Sequence, residues 1–273
     1  MISTARLGLD DPREVADLAA FLGRLLRFDR AAAVRLQVVG GVGGAGGVGH
    51  GVLALYGRLP LGSAGVLALR TARLAASTDE GESAGAGELT DEGADAGGND
   101  RPDAAAEGTR PAIDTTVSID ATVSAGQLLE GLDEEHGTVA LPAPVTGPAW
   151  AGLLPPRAGW QRIGTATADL VMPQLLAAIA EFKERTAEVP EPHRTREVLD
   201  RLADEIWSRP LAALPELPLR AVHAAYRIGF LHPGAQLTAH RAGGWLRLTA
   251  PHGTVALRAT AAPGSGLGLT PLG

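Results

Sequence analysis

Cysteine is absent from the 273 residues. That excludes disulfides, thiolate nucleophiles and Cys-ligated zinc or iron–sulfur centres, and it agrees with a reducing compartment. Lysine is reduced to a single residue, Lys183, beside 23 arginines. With so much Ala, Gly and Pro, this points to a compositional bias that lowers the weight of any Gly-rich motif. Long hydrophobic runs are missing as well. The one uncharged stretch near spanning length, Val38 to Tyr56, is crowded with Gly and carries His50, so it is a poor membrane span. The first residues, Met1 to Arg6, are polar and are soon followed by Asp10, Asp11 and Glu14, unlike an export signal. A soluble, cytoplasmic chain with no membrane partner is the expectation.

Local catalytic signatures are lacking too. There is no Gly-x-Ser-x-Gly elbow, no His-Glu-x-x-His and no P-loop, so neither nucleophilic nor metallohydrolase chemistry has a sequence signature. Gly41 to Gly46 satisfies the letters of a dinucleotide-binding fingerprint. However, a strand follows where a helix is needed, and the next acid is as far away as Asp79. The reading leans away from an enzyme without deciding it, and assigns no catalytic residue, no cofactor and no bound metal.

What is present is a repeated strand entry. His-Gly-Thr-Val-Ala-Leu occurs at His136 to Leu141 and again at His252 to Leu257, with the relative His-Gly-Val-Leu-Ala-Leu at His50 to Leu55. Each copy sets a turn glycine before a short apolar run. Gly65 to Arg70 and Gly253 to Arg258 are similar in turn, which suggests that two parts of the chain use related hairpins. The three histidines offer a metal site only if the fold gathers them, and none has a close ligand partner at helical spacing.

Spacing predicts a helix after Asp11 and Pro12 with Val15, Leu18, Leu22, Leu25 and Leu26 as its stripe, then strands over Ala33–Val39, Val52–Tyr56 and Val66–Arg70. A strand over Thr115–Ile119 is predicted to rejoin them. Ser124 and Gln127 form a capping box, and His136–Leu141 reads as a strand. Three helices follow. One is marked by Leu175, Ile179 and Phe182, a second by Leu199, Leu202, Ala203 and Ile206, and a third spans Leu219–Leu231, burying Tyr226 and Phe230. A hairpin, Trp245–Thr249 with Thr254–Arg258, closes the chain. The expected class is α+β: an antiparallel meander with helices, then a helical part ending in a β-hairpin.

The expected organisation is an N-terminal part at 1–74 and 114–145, a disordered acidic insert at 75–113, a Pro/Gly-rich connection at 146–162, a C-terminal part at 163–258 and a flexible tail at 259–273. The insert holds ten acids against Arg101 and Arg110, a net charge of −8 in a chain of −7. Leu217 to Gly273, by contrast, contains no acid and five arginines. Glu197, Asp200, Asp204 and Glu205 read as a solvated helix face with local ion pairs.

Three functional readings follow. The leading one is a non-enzymatic binding or scaffold protein acting on a protein partner. The alternative is a nucleic-acid-binding regulator with a winged-helix-like basic face built from Arg220, His223, Arg227, Trp245, Arg247 and Arg258. An enzyme whose site is assembled from distant positions is third.

Overall fold

The structure is a computed structural model that describes residues 6–40, 51–61, 65–75 and 119–259. The Gly41–Gly46 motif, His50, the predicted insert beyond Ala75, the predicted strand before Ile119 and the tail beyond residue 259 lie outside the described residues.

After a short strand β1 (Arg6–Gly8), helix α1 (Arg13–Phe28) starts where the sequence predicts. The Asp11 carboxylate accepts from the Arg13 backbone N–H at 2.9 Å, satisfying a donor that has no partner inside the helix. Its buried stripe is Val15, Leu18, Phe21, Leu22 and Leu25, each worth roughly 1.5–3 kcal/mol when taken out of water. Strands β2 (Ala33–Val39), β3 (Val52–Leu59) and β4 (Val66–Arg73) form the meander. The strand that rejoins it is β5 (Asp120–Ser124), which starts after the predicted Thr115–Ile119 segment. It pairs with β2, setting Val123 opposite Val34. Ser124 then caps α2 (Ala125–Glu130), its Oγ accepting from the Gln127 N–H at 3.4 Å. Two short strands, β6 (Leu132–Asp133) and β7 (Thr138–Ala140), join β1 in a small sheet.

The C-terminal half runs β8 (Gln161–Thr167), α3 (Ala168–Glu188), α4 (Arg196–Trp207), the short hairpin β9 (Pro210–Leu211) and β10 (Leu214–Pro218), α5 (Leu219–Arg227), β11 (Gln236–Ala242), β12 (Trp245–Ala250) and β13 (Gly253–Arg258). Glu181 and Glu205 hold Arg185 and Arg209 in an ion-pair network that ties α3 to α4, with nitrogen–oxygen distances from 2.6 Å. The predicted helix to Leu231 ends earlier, at Arg227. Gly229 adopts φ +79°, the Phe230 N–H donates to the Ala225 carbonyl and the Gly229 N–H to that of Tyr226. This Schellman turn swings Phe230 into the core, where it stacks on Phe21 at 6.0 Å. Tyr226, expected in the core, is exposed.

All eight long strands form one antiparallel sheet in the order β5-β2-β3-β4-β13-β12-β11-β8. Each half contributes four neighbouring strands, and the seam is β4 against β13. Leu67 pairs with Ala256 and Ala68 with Val255. In the similar strings Gly65–Arg70 and Gly253–Arg258, Val255 is the counterpart of Leu67 and Ala256 that of Ala68. The seam therefore pairs the two strings about a local two-fold axis. Predicted as parts of separate hairpins, they meet at the centre of the sheet.

Alternation divides the two faces. Leu36, Leu53, Leu55, Ala68, Val255, Leu248 and Leu237 point into one apolar core shared with the helices. Gly57 belongs to this face, and a Cβ there would come within 2.3 Å of Leu25 in α1. Among the described residues the opposite face carries no α-helix.

Candidate functional site

The helix-free face is crossed by residues 145–160, which overlap the predicted connection at 146–162 and act as a strap. The Val145 N–H donates to the Thr122 carbonyl at 2.8 Å, anchoring the strap to edge strand β5. A short 3-10 turn, Ala149–Gly152, follows. At the far end the Trp160 indole N–H donates to the Pro156 carbonyl at 2.8 Å, and its ring lies over the Arg247 guanidinium at 4.2 Å. Between strap and sheet is a groove of about 440 Å³, within the usual range for ligand sites.

Its floor is aliphatic: Ala256 on β13, Leu67 and Leu69 on β4, Val52 and Ala54 on β3, and Val39 on β2. The seam runs beneath it, so both halves build the site. Among the described residues the groove is lined by two arginines, Arg157 and Arg247, and by no acid. The two ends differ in polarity.

At the N-terminal end Tyr56, Gln37 and Arg157 line the groove, with Asp120 close by. Burial raises the Tyr56 pKa above the usual phenol value, Arg157 working against it and Asp120 with it, so the hydroxyl stays protonated. Burial also opposes charge on Asp120, but hydrogen bonds from Arg35 Nε (2.7 Å) and Gln37 Nε2 (3.2 Å) outweigh it and hold this carboxyl below its ordinary value. Asp120 is thus a satisfied anion, not a free base.

At the C-terminal end Arg247 is half-buried with a Nε that has no hydrogen-bond partner. The Nε atoms of half-buried Arg70 and buried Arg220 also have no partner, but those side chains meet Asp17 and Asp204, whereas no carboxylate among the described residues pairs with Arg247. Burial lowers the Arg247 pKa, though a guanidinium remains charged at neutral pH. Across the strands Arg247 faces His240, which faces Arg162. His240 is pushed below its ordinary pKa by burial first, then by Arg247 and Arg162. Strands β8, β11, β12 and β13 contain no acidic residue. Replacing Arg247 by Gln is expected to move the His240 pKa upward, as followed by its imidazole NMR shifts against pH, because the stronger of the two repelling charges is removed.

The six residues predicted to contact nucleic acid fall on two sides of the sheet. Trp245, Arg247 and Arg258 share the open face, with Arg258 stacked over Trp245 at 4.8 Å. Arg220 and His223 are buried in the helical layer at 8% and 7% exposure, which corrects their reading as a surface stripe. Arg220 is paired with Asp204, His223 stacks on Trp207 at 4.0 Å, and Arg227 lies over Phe28 at 5.0 Å. Their helical spacing is real, but α5 is wrapped by α3, α4 and the sheet. The predicted wing is also corrected, since β12–β13 is hydrogen-bonded on both sides, to β11 and to β4. An Asp204→Asn variant, which strands the buried Arg220 charge, is expected to lose about 2 kcal/mol by urea denaturation. That is less than for a fully buried pair, because Asp204 is half-exposed.

The repeated histidines do not converge. His136 turns back to Asp133, with Nδ1 at 2.9 Å from Oδ2, while His252 meets His232 with ring centroids 4.3 Å apart. Among the described residues no group of three or more His, Asp or Glu is arranged to hold a metal ion. No helix among them is long and apolar enough to cross a membrane.

Sheet, strap and groove thus define an α+β protein with one helical layer and an open, ligand-sized groove over the joint between its halves. Residues 2–113 match a domain of unknown function (DUF8010) and residues 155–262 match another (DUF8185). The first match contains β1, α1 and β2–β4, and the second β8–β13 with α3–α5, so the two meet at the seam. No curated protein and no solved structure matches the chain.

Proposed function

We propose that this is a non-enzymatic binding protein whose ligand lies in the groove between the open sheet face and the strap. The observation that supports this best is Arg247, a half-buried cation with an unpartnered Nε, bordering an apolar groove that has no acid among the described residues. A guanidinium left without an acceptor is costly, and an anionic group from outside offsets that cost. Catalysis is disfavoured because the described lining contains no carboxylate and no histidine, and Tyr56 is held protonated. The binding class covers a polypeptide occupant as well as a small one. A cytoplasmic setting belongs to the same proposal and rests on composition.

The test is titration with 8-anilinonaphthalene-1-sulfonate, an apolar body with one anionic group, followed by its own emission and by tryptophan quenching. Saturable binding is expected, weakened about tenfold or more in Arg247→Gln, as for loss of a charge-assisted hydrogen bond. Equal binding by parent and variant would remove the groove from consideration. The nucleic-acid alternative keeps only Trp245, Arg247 and Arg258 on an acid-free face, and it requires binding of duplex or single-stranded oligonucleotides that falls steeply with salt.

A further inference from the structure

We propose that the natural occupant is a long-chain amphiphile with a single anionic head, the carboxylate of a fatty acid, held head-first at Arg247. This rests on the groove being the binding site. Three observations carry it beyond that reading.

The charge of the groove is one-sided. Arg247 stands in a row with His240 and Arg162 on strands without an acid, so that end attracts an anion. The other end holds Arg157 within the field of Asp120, whose carboxylate is already engaged by Arg35 and Gln37, so a second anion would meet a like charge there. One head is therefore matched and two are not.

The path leading away from Arg247 is aliphatic and long. From Arg247 the lining passes over Ala256 and Leu67 to Leu69 and Ala54 and ends at Val52 and Val39, with the hydroxyls of Thr254 and Thr71 and the amide of Gln37 as its polar interruptions. The register places Leu67 opposite Arg58 and Arg73 opposite Val52. The path therefore advances six residues along β4, on the order of 20 Å, while crossing from β12 to β2. Such a run suits an extended methylene chain and leaves a compact aromatic anion with most of the floor uncovered.

The far end opens through apolar side chains. Among the described residues of the open sheet face, Val39 and Val52 are the large apolar side chains that remain so uncovered, at 48% and 39% exposure. A tail emerging there covers them. The aromatic rings nearest the head, Trp160 and Trp245, each already carry a guanidinium on one face, that of Arg247 and of Arg258.

The experiment uses the full chain and displacement of 8-anilinonaphthalene-1-sulfonate by saturated alkanoates from octanoate to octadecanoate, below their micellar concentrations, each beside the alkanol of equal length. Affinity is expected to rise about fourfold for each methylene buried until the groove is filled, with alkanoate preferred over alkanol by tenfold or more. Arg247→Gln is expected to abolish that preference while leaving alkanol binding in place, and Val39→Asp to weaken the longest chains while sparing octanoate. Val39 is exposed, so its substitution leaves the core intact, and circular dichroism of both variants checks their folding. Probe binding without displacement by any alkanoate overturns this inference and leaves the binding reading standing, whereas failure of the probe itself overturns both. Displacement by a glutamate-rich peptide but not by alkanoates places a polypeptide in the groove instead. Equal affinity for alkanoate and alkanol overturns the head assignment.

Discussion

A Gly253→Ala variant is expected to melt roughly 5–10 °C below the parent, a loss on the order of 3 kcal/mol. A Cβ at this position would lie 2.3 Å from Cζ of Phe230 and 2.6 Å from both Cε atoms. The ring has no room to retreat: Phe230 is 3% exposed and stacks nearly parallel on Phe21, itself 1% exposed. Either the turn into β13 or the aromatic pair must shift, and interiors at crystal-like density yield only at a cost. Scanning calorimetry measures the loss, and pairing the change with Phe230→Leu is expected to recover part of it, because the smaller side chain clears the space. Equal melting of parent and single variant would contradict this packing.

Acidification is expected to remove a comparable amount of stability through His223. This ring is buried against Trp207, and its Nδ1 has no hydrogen-bond partner. Burial, helped by Arg227, pushes its pKa down from 6.5 to about 4. The folded value lies below the unfolded one, so the unfolded chain binds the proton first. Stability is full above pH 6.5 and falls as pH drops toward 4, by about 3 kcal/mol in all. Carboxylates contribute their own acid sensitivity, so the measurement is a difference. Between pH 6.5 and 4 the urea stability of the parent should fall by about 3 kcal/mol more than that of His223→Phe, which keeps a ring against Trp207 but has no proton to bind. Parallel curves would mean that His223 titrates normally.

The α+β class and most individual elements were legible because they depend on local periodicity. Strand β2 runs over the predicted Ala33–Val39, and the hairpin alternation correctly sent Leu246 and Leu248 inward and Trp245 and Arg247 outward. Strands β8 and β11 went unread: Thr165, Thr167, Thr238 and His240 interrupt their apolar runs, and only pairing with each other gives these segments a buried face. What failed for the site was the inference from spacing to surface. Arg220, His223 and Arg227 do lie on one side of α5, but whether that side meets solvent depends on α3 and α4, which no local pattern reveals. The groove was illegible for the same reason, being assembled from β2, β3, β4, β12, β13 and a Pro-rich strap. One signal did point toward it, the lack of any acid beyond Glu216, since Arg247 has no carboxylate partner on the strands around it.

The seam has a consequence for how the chain must be made. Severed from its partner half, either set of four strands ends in an open edge whose core is Val-Leu-Ala-Leu or Thr-Val-Ala-Leu, uncharged and suited to strand pairing. Because the two strings are near-equivalents about a two-fold axis, the surface most complementary to such an orphaned edge, other than its true mate, is another copy of itself. Covalent linkage in one polypeptide raises the local concentration of the correct mate above that of any competitor. Tethering the halves thus protects against self-association and aggregation during synthesis, in addition to stabilising the finished fold.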